Sequence, residues 1–326
     1  MMRHGLNSKW AAALIFAMLV LLGATRPATA EDSKPRKIVF LAGAGSHGFG
    51  AHAHYAGCQL LATRLSEAMP DRVQAVVSLG WPTDPAVLEG ASAVVVYCDG
   101  GSLISRHIKE LEPLMSKGAG LACLHYTLDV SGSQEARARM LDWIGGYYEQ
   151  HWSVNPCWEA AFKELPQHPV TRGVRPFAIF DEWYYHMRFP EGMAGVTPIL
   201  TAVPPDITRK SPDGPHTGNP AVRARLGMPE HVAWAFQRPN GGRGFGFTGG
   251  HFHWNWAHND FRKLVLNGIV WVAGQEVPPD GVPSRTPTVE EIIAHQDGPP
   301  PEGWKPEKIQ QMIERFNPAQ GGKPGQ

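Results

Sequence analysis

The sequence predicts an α/β fold, a three-layer sandwich in which helices cover both faces of a mainly parallel sheet. Three observations carry this. Short apolar runs alternate with helix-period segments through the first half of the chain. The runs are apolar throughout, as strands buried on both faces are. Polar side chains follow directly on several runs, where open parallel sheets bind their ligands.

Lys37 to Ala42 is the first such strand and ends in Gly43. Tyr55 to Met69 places Leu60, Leu61 and Leu65 at helical spacing. Val73 to Leu79 and Ala93 to Tyr97 are the second and third strands, and Asp84-Pro85 between them is a capped helix start. Ser105 to Lys117 reads as a helix terminated by Gly118, and Leu121 to Leu124 as the fourth strand. Tyr147 to Phe162 is aromatic and irregular. Phe177 to Phe189, Thr197 to Val203, His231 to Gln237 and Arg243 to Thr248 read as further strands, with a long loop over Pro204 to Pro220. Asn259 to Val272 is a helix whose apolar face carries Phe261, Leu264, Val265, Gly268, Ile269 and Val272. Beyond Val277 the chain is Pro-rich, with helical patches at Val289 to His295 and Pro306 to Phe316, and is expected to wrap the surface or to be partly mobile.

A hydrophobic fraction of 43% is enough for a buried core, and zero formal net charge without a basic stripe argues against a nucleic-acid partner. The N-terminus reads as an export signal: Arg3 and Lys9, an apolar run from Ala11 to Ala24, then Ala28-Thr29-Ala30 before Glu31 and Asp32. That run is too short to span a bilayer, so no stable membrane insertion is expected once residues 1–30 are removed, and the location is periplasmic or secreted. An exported chain could pair Cys58, Cys98, Cys123 and Cys157. Cys98 and Cys123, however, lie in or beside apolar strands, which favours mostly buried free thiols.

Gly43 to Gly48 spells G-x-G-x-x-G after a strand, but the second strand ends Val77-Ser78-Leu79 with no acid to hold a ribose. No nicotinamide or flavin cofactor is expected. His47, His52 and His54 form one imidazole cluster, and His251, His253 and His258 a second. Neither has the H-E-x-x-H spacing, so polar loop packing and a bound divalent metal both stay open. His125 ends the fourth strand, His47 follows the first and Asp99 the third, which converges three polar groups on one rim. If Phe177 to Phe189 is extended, Glu182, Tyr184 and His186 share a face and can do acid–base work; a solvated polar face is the alternative. Trp stacks on sugar rings and also fills cores, which makes Trp254, among the second cluster's histidines, a binding candidate.

The order of these motifs resembles the ThuA-like, trehalose-utilisation family over roughly residues 37–274. Matching elements are His47, Gly120 to His125, Gly145-Gly146 with His151, and His168-Pro169-Val170-Thr171. Asp181-Glu182-Trp183-Tyr184, Gly241-Gly242-Arg243, Gly250-His251 and Gly268 to Trp271 complete the series. The resemblance implies a signal peptide (1–30), a ThuA-like domain (37–274) with a flavodoxin-like, class I glutamine-amidotransferase-like sandwich, and a Pro-rich tail (275–326). Amidotransferases carry a nucleophilic Cys after the fourth strand. Here His125 takes that place and Cys123 lies within the strand, which puts amidotransferase chemistry in doubt.

The resemblance also implies an exported sugar-processing enzyme acting on 3-keto-glycosides supplied by a partner sugar oxidoreductase, by elimination and hydration. His125, Glu182 and Tyr184 are the catalytic candidates, Asp99, His186 and Trp254 the substrate-binding ones, and His47, His151 and His251 the metal ligands. Two alternatives are a non-catalytic carbohydrate-binding module and a metallohydrolase of ordinary esters or glycosides. If the export reading holds, mass spectrometry of the native protein will find a chain starting near Glu31; an intact N-terminus overturns it.

Overall fold

Alternation of apolar side chains in each strand builds two cores, one on either side of a single sheet. The computed structural model describes residues 34–318, so the export segment lies outside the described residues. The described residues from Pro35 onward form one unit. Its strands are β1 (Arg36–Ala42), β2 (Val73–Leu79), β3 (Ala91–Tyr97), β4 (Gly120–Leu124), β5 (Cys157–Phe162), β6 (Phe177–Glu182), β7 (Val196–Ala202), β8 (Glu230–Gln237) and β9 (Arg243–Phe247).

Among the described residues the main sheet has the order β2-β1-β3-β4-β9-β8-β7, and β5 and β6 make a separate antiparallel pair. The first five are mutually parallel, while β8 and β7 run antiparallel at one edge. This is the expected mainly parallel α/β sandwich, and its first five positions follow a doubly wound, flavodoxin-like order. Ile38, Phe40, Val95, Ala122 and Leu124 face the core beneath helices His54–Ala68 and Asn259–Val272. Val39, Leu41, Val94, Val96, Leu121 and Cys123 face the other core, under helices Ile108–Ser116 and Gln134–Ile144. Gly120 marks where a helix comes closest: a Cβ there would stand 2.0 Å from the Val272 carbonyl oxygen.

Several sequence-based boundaries shift. The segment after Asp84 is a single turn, Pro85–Val87, though Asp84 does accept from the Ala86 N–H at 2.9 Å. The aromatic stretch before residue 162 contributes β5. The strand expected over Phe177 to Phe189 ends at Glu182, and His186 has φ 58°, which breaks the period-2 pattern. Cys58, Cys98 and Cys123 are buried free thiols, and Cys157 is free and exposed.

The Pro-rich tail is packed on the sandwich. Val277, Val282, Ile292, Ile309 and Ile313 are buried in the first core. Two polar residues on the final sandwich helix anchor the tail. Arg262 donates to Ser284 Oγ at 2.6 Å and to the Arg285 carbonyl at 2.9 Å. Asn267 accepts from the Val282 N–H at 2.7 Å. Among the described residues no helix is long and apolar enough to cross a membrane.

That same helix begins at a histidine cap, His258, whose Nδ1 accepts from the Phe261 N–H at 3.3 Å. Burial lowers its pKa from 6.5 to about 4. The folded value lies below the unfolded one, so the unfolded chain takes up the proton first. Stability is therefore retained above pH 6.5 and lost as pH falls from 6.5 to 4, by up to about 3 kcal/mol. His258→Asn keeps an acceptor that does not titrate, and it should reduce the slope of urea-unfolding stability across this window, to which His52, His54, His168, His186 and His253 also contribute. An unchanged slope would assign the titration to another group.

Candidate active site

Parallel strands deliver their carboxyl ends to one rim, and four of them do so here. The loop after β1 carries His52, Cys98-Asp99 follow β3, His125 follows β4, and Thr248 to His251 follow β9. The chain leaves β1 toward β2 on one side and returns to β3 on the other, so the rim between β1 and β3 is a switch point of the kind where such sheets bind ligands. β6, from the separate hairpin, ends in Glu182 against the same point.

The groups converge tightly. His52 Nε2 lies 3.1 Å from His125 Nε2 and 2.9 Å from His251 Nδ1. Glu182 Oε2 lies 3.4 Å from His125 Nε2 and 3.1 Å from His251 Nδ1. The tautomers follow from what each ring meets on its far side. His52 Nδ1 faces Asp99 Oδ1 at 2.6 Å, and His125 Nδ1 faces the Thr248 carbonyl at 2.8 Å. Both Nδ1 atoms must therefore carry the proton, which leaves two Nε2 lone pairs pointing at one another beside a carboxylate. Burial lowers His52 to about 4, despite the pull of Asp99, so its ring is neutral.

Such a cluster has the donor atoms that could hold a cation. These four residues offer donor atoms within 4.8 Å of one another. The separations match the roughly 3.3 Å edge of a tetrahedron with metal–nitrogen bonds of about 2.05 Å. An outer carboxylate on His52 and a carbonyl on His125 are the supports that metal-binding imidazoles use.

The carboxylates are ionised. Burial opposes this at Glu182, but the adjoining His125 and His251 side chains hold its carboxyl well below the usual range. Burial likewise opposes ionisation of Asp99, yet hydrogen bonds to His52 and Ser46 hold it at about 2. Asn155 donates to Glu182 Oε1 at 3.2 Å, which fixes the second oxygen. The Tyr184 hydroxyl lies 3.3 Å from His125 Nε2, and burial followed by the Glu182 charge pushes its phenol well above the ordinary value. Tyr184 is therefore a neutral donor. Both His52 (φ 47°) and His125 (φ 53°) adopt left-handed backbone, a strain that packed surroundings must hold and that gathers at functional sites.

The sequence-based candidates divide cleanly. His125, Glu182, Tyr184, Asp99 and His251 come together. His47 sits at the exposed margin, its ring 3.7 Å from that of His52. His151 does not join: it is exposed, on a turn whose backbone N–H bonds the Pro215 carbonyl, and His52 takes the ligand position proposed for it. His186, past the end of β6, stacks on Trp152 and faces Glu230 at 3.9 Å. Trp254 packs against Phe49, outside the cluster. His253 is buried away from the rim, and Cys123 is buried within β4, its thiol pushed well above the normal range by burial. A cavity of about 990 Å³, lined by Trp81, Lys117 and Arg243, lies at the opposite end of the strands and has none of this chemistry.

Asp181 is the residue whose role the sequence hid. Fully buried, it accepts from the backbone N–H groups of Gly250 (2.7 Å), His251 (3.0 Å) and Glu182 (2.8 Å). Gly250 has φ 107°, and its carbonyl takes the Tyr97 hydroxyl. One carboxylate thus fixes the loop presenting His251 and the strand end presenting Glu182. Asp181→Ala strands these donors and should cost on the order of 3 kcal/mol in denaturant unfolding. A loss under about 1 kcal/mol would mean the loop is held by other contacts.

With this geometry in hand, comparisons with known proteins identify the lineage. Two solved structures share the fold. A ThuA-like protein of Bacteroides uniformis superposes with a TM-score of 0.51 at 16% identity, covering 76% of this chain and 95% of the other. A ThuA-like protein of Parabacteroides merdae gives 0.51 at 15% identity, covering 80% and 99%. No curated protein matches. The ThuA family model, described as trehalose utilisation, matches residues 40–272, and the chain therefore belongs to the ThuA family.

Proposed function

We propose that this ThuA-family chain is an exported sugar-processing enzyme that cleaves 3-keto-glycosides at a cation-assisted acid–base centre. The observation that carries the reading is the facing pair of imidazole lone pairs beside an ionised carboxylate. A non-catalytic sugar-binding module has no need of that arrangement.

His52, His125 and His251 would hold a divalent cation, which when bound supplies a Lewis acid for the keto oxygen and its developing enolate charge. This assignment makes His125 a ligand. Glu182 is then the base, because a catalytic centre needs a position not closed by a ligand and Glu182 is the ionised group beside it. A carbonyl at C3 acidifies the C2–H bond. Glu182 takes that proton, the electron pair forms the enolate, and the C1–O bond breaks as the enone forms. The departing oxygen needs a proton, and Tyr184, kept protonated by burial, would give it. Water then adds at C1 as its proton passes back to the Tyr184 phenolate, Glu182 returns its proton to C2, and net hydrolysis results. Asp99 orients His52 and, with 30% exposure, would also accept from substrate hydroxyls. The keto group requires an earlier oxidation by a partner sugar oxidoreductase.

A second reading, a metallohydrolase of unoxidised esters or glycosides, draws on the same His-rich cluster. Turnover in heavy water separates the two. Elimination should leave deuterium at C2 of the released keto-sugar, after correction for spontaneous exchange, and the unoxidised glycoside should be inert. Glu182→Gln should cost about 10²-fold or more in turnover, while His52→Ala should abolish cation binding by elemental analysis. Efficient cleavage of unoxidised glycosides without label would select the hydrolase. No turnover on any keto-sugar by protein supplied with divalent cations would defeat the proposal.

A further inference from the structure

A cavity of about 670 Å³ shares a wall with the cluster. That wall is Phe252, whose ring lies 4.6 Å from the His251 ring and stacks on Phe180 at 5.9 Å and 25°. Phe180 precedes Glu182 by two residues in β6, so both project from the same face. Phe180 is 50% exposed, a large aromatic left open beside acid–base groups. The facing wall is the tail helix Pro306–Phe316, through Met312, Arg315 and Phe316. Two charged groups edge the cavity: Glu159, paired in register with Phe180 across the hairpin, and Arg315. Among the described residues neither forms an ion pair or a side-chain hydrogen bond.

Aromatic faces with a carboxylate and a guanidinium at the margin suit one class of small molecule. A pyranose presents C–H groups on its face, which pack on aromatic rings, and hydroxyls around its edge, which a carboxylate accepts and a guanidinium donates to. The volume lies within the usual range for small-ligand pockets. We propose that this cavity is a second sugar subsite, which takes the pyranose beyond the scissile bond, stacked on Phe180 and Phe252 and hydrogen-bonded by Glu159 and Arg315. The proposal rests on the keto-glycoside reading and narrows its substrate to a disaccharide or longer. The tail helix lies outside the family-matched residues 40–272, so only the wall bearing Met312, Arg315 and Phe316 lies beyond the matched region.

The test is isothermal titration of the full chain with two unoxidised probes, glucose and trehalose. Trehalose should bind at least about tenfold more tightly than glucose, and Phe180→Ala should remove most of that advantage. Arg315→Ala, a change at an exposed helix position, should reduce it as well. Cation content and circular dichroism should stay as in the parent protein. Trehalose binding no tighter than glucose, or unaffected by either variant, while keto-disaccharide turnover persists, overturns the subsite alone. Absence of sugar binding together with absence of keto-sugar turnover overturns the subsite and the function beneath it.

Discussion

Two imidazole lone pairs 3.1 Å apart, with a carboxylate oxygen 3.4 Å from one of them, repel each other unless positive charge sits between them. The protein nonetheless fixes them there from behind. Asp99 holds one ring by its proton and the Thr248 carbonyl holds the other, so neither can turn its Nδ1–H inward. Asp181 then clamps the loop that brings His251 and the strand end that brings Glu182. The arrangement is stable only because packing elsewhere outweighs the local repulsion and the left-handed backbone at His52 and His125.

That packing comes from both faces of the sheet. β1, β3 and β4 send alternate side chains into two cores, and all five residues of β4 are buried, so the turn at His125 starts from a rigid base. The tail adds a further layer. Arg262 and Asn267 tie it to the last sandwich helix, and Gln296 accepts from the Gly50 N–H at 3.0 Å. A segment beyond the family-matched core therefore braces the loop carrying His47 and His52. The same tail supplies one wall of the aromatic cavity, which links a structural strap to the shape of the binding region.

Where amidotransferases with this architecture use a cysteine, the turn after β4 here presents an imidazole. Cys123 sits one strand repeat earlier, pointing into the second core with its thiol held protonated by burial. A thiol in that state is neither nucleophile nor ligand. The polar groups at this rim instead form a cluster assembled from four rim segments and a hairpin.

The strands through residue 124, the parallel arrangement and the placing of Asp99 and His125 at strand ends were readable from the sequence, because buried strands are short apolar runs and function follows their carboxyl ends. Glu182 and Tyr184 were legible from their motif. What the sequence could not decide was which imidazoles meet. His47, His52 and His54 lie within eight residues in a loop without periodicity, and only the left-handed turn at His52 selects it over His47. His151 and His186 followed the same kind of local pattern and went elsewhere, since one sits on an exposed turn and the other lies past a strand that stops at Glu182. Asp181 reads as one half of an acidic pair until the fold brings three backbone N–H groups from β9's loop to it. Local sequence determined the elements and the rim; contacts between residues 47 to 199 positions apart determined the site, because hydrogen bonds at that separation leave no periodic trace in the chain.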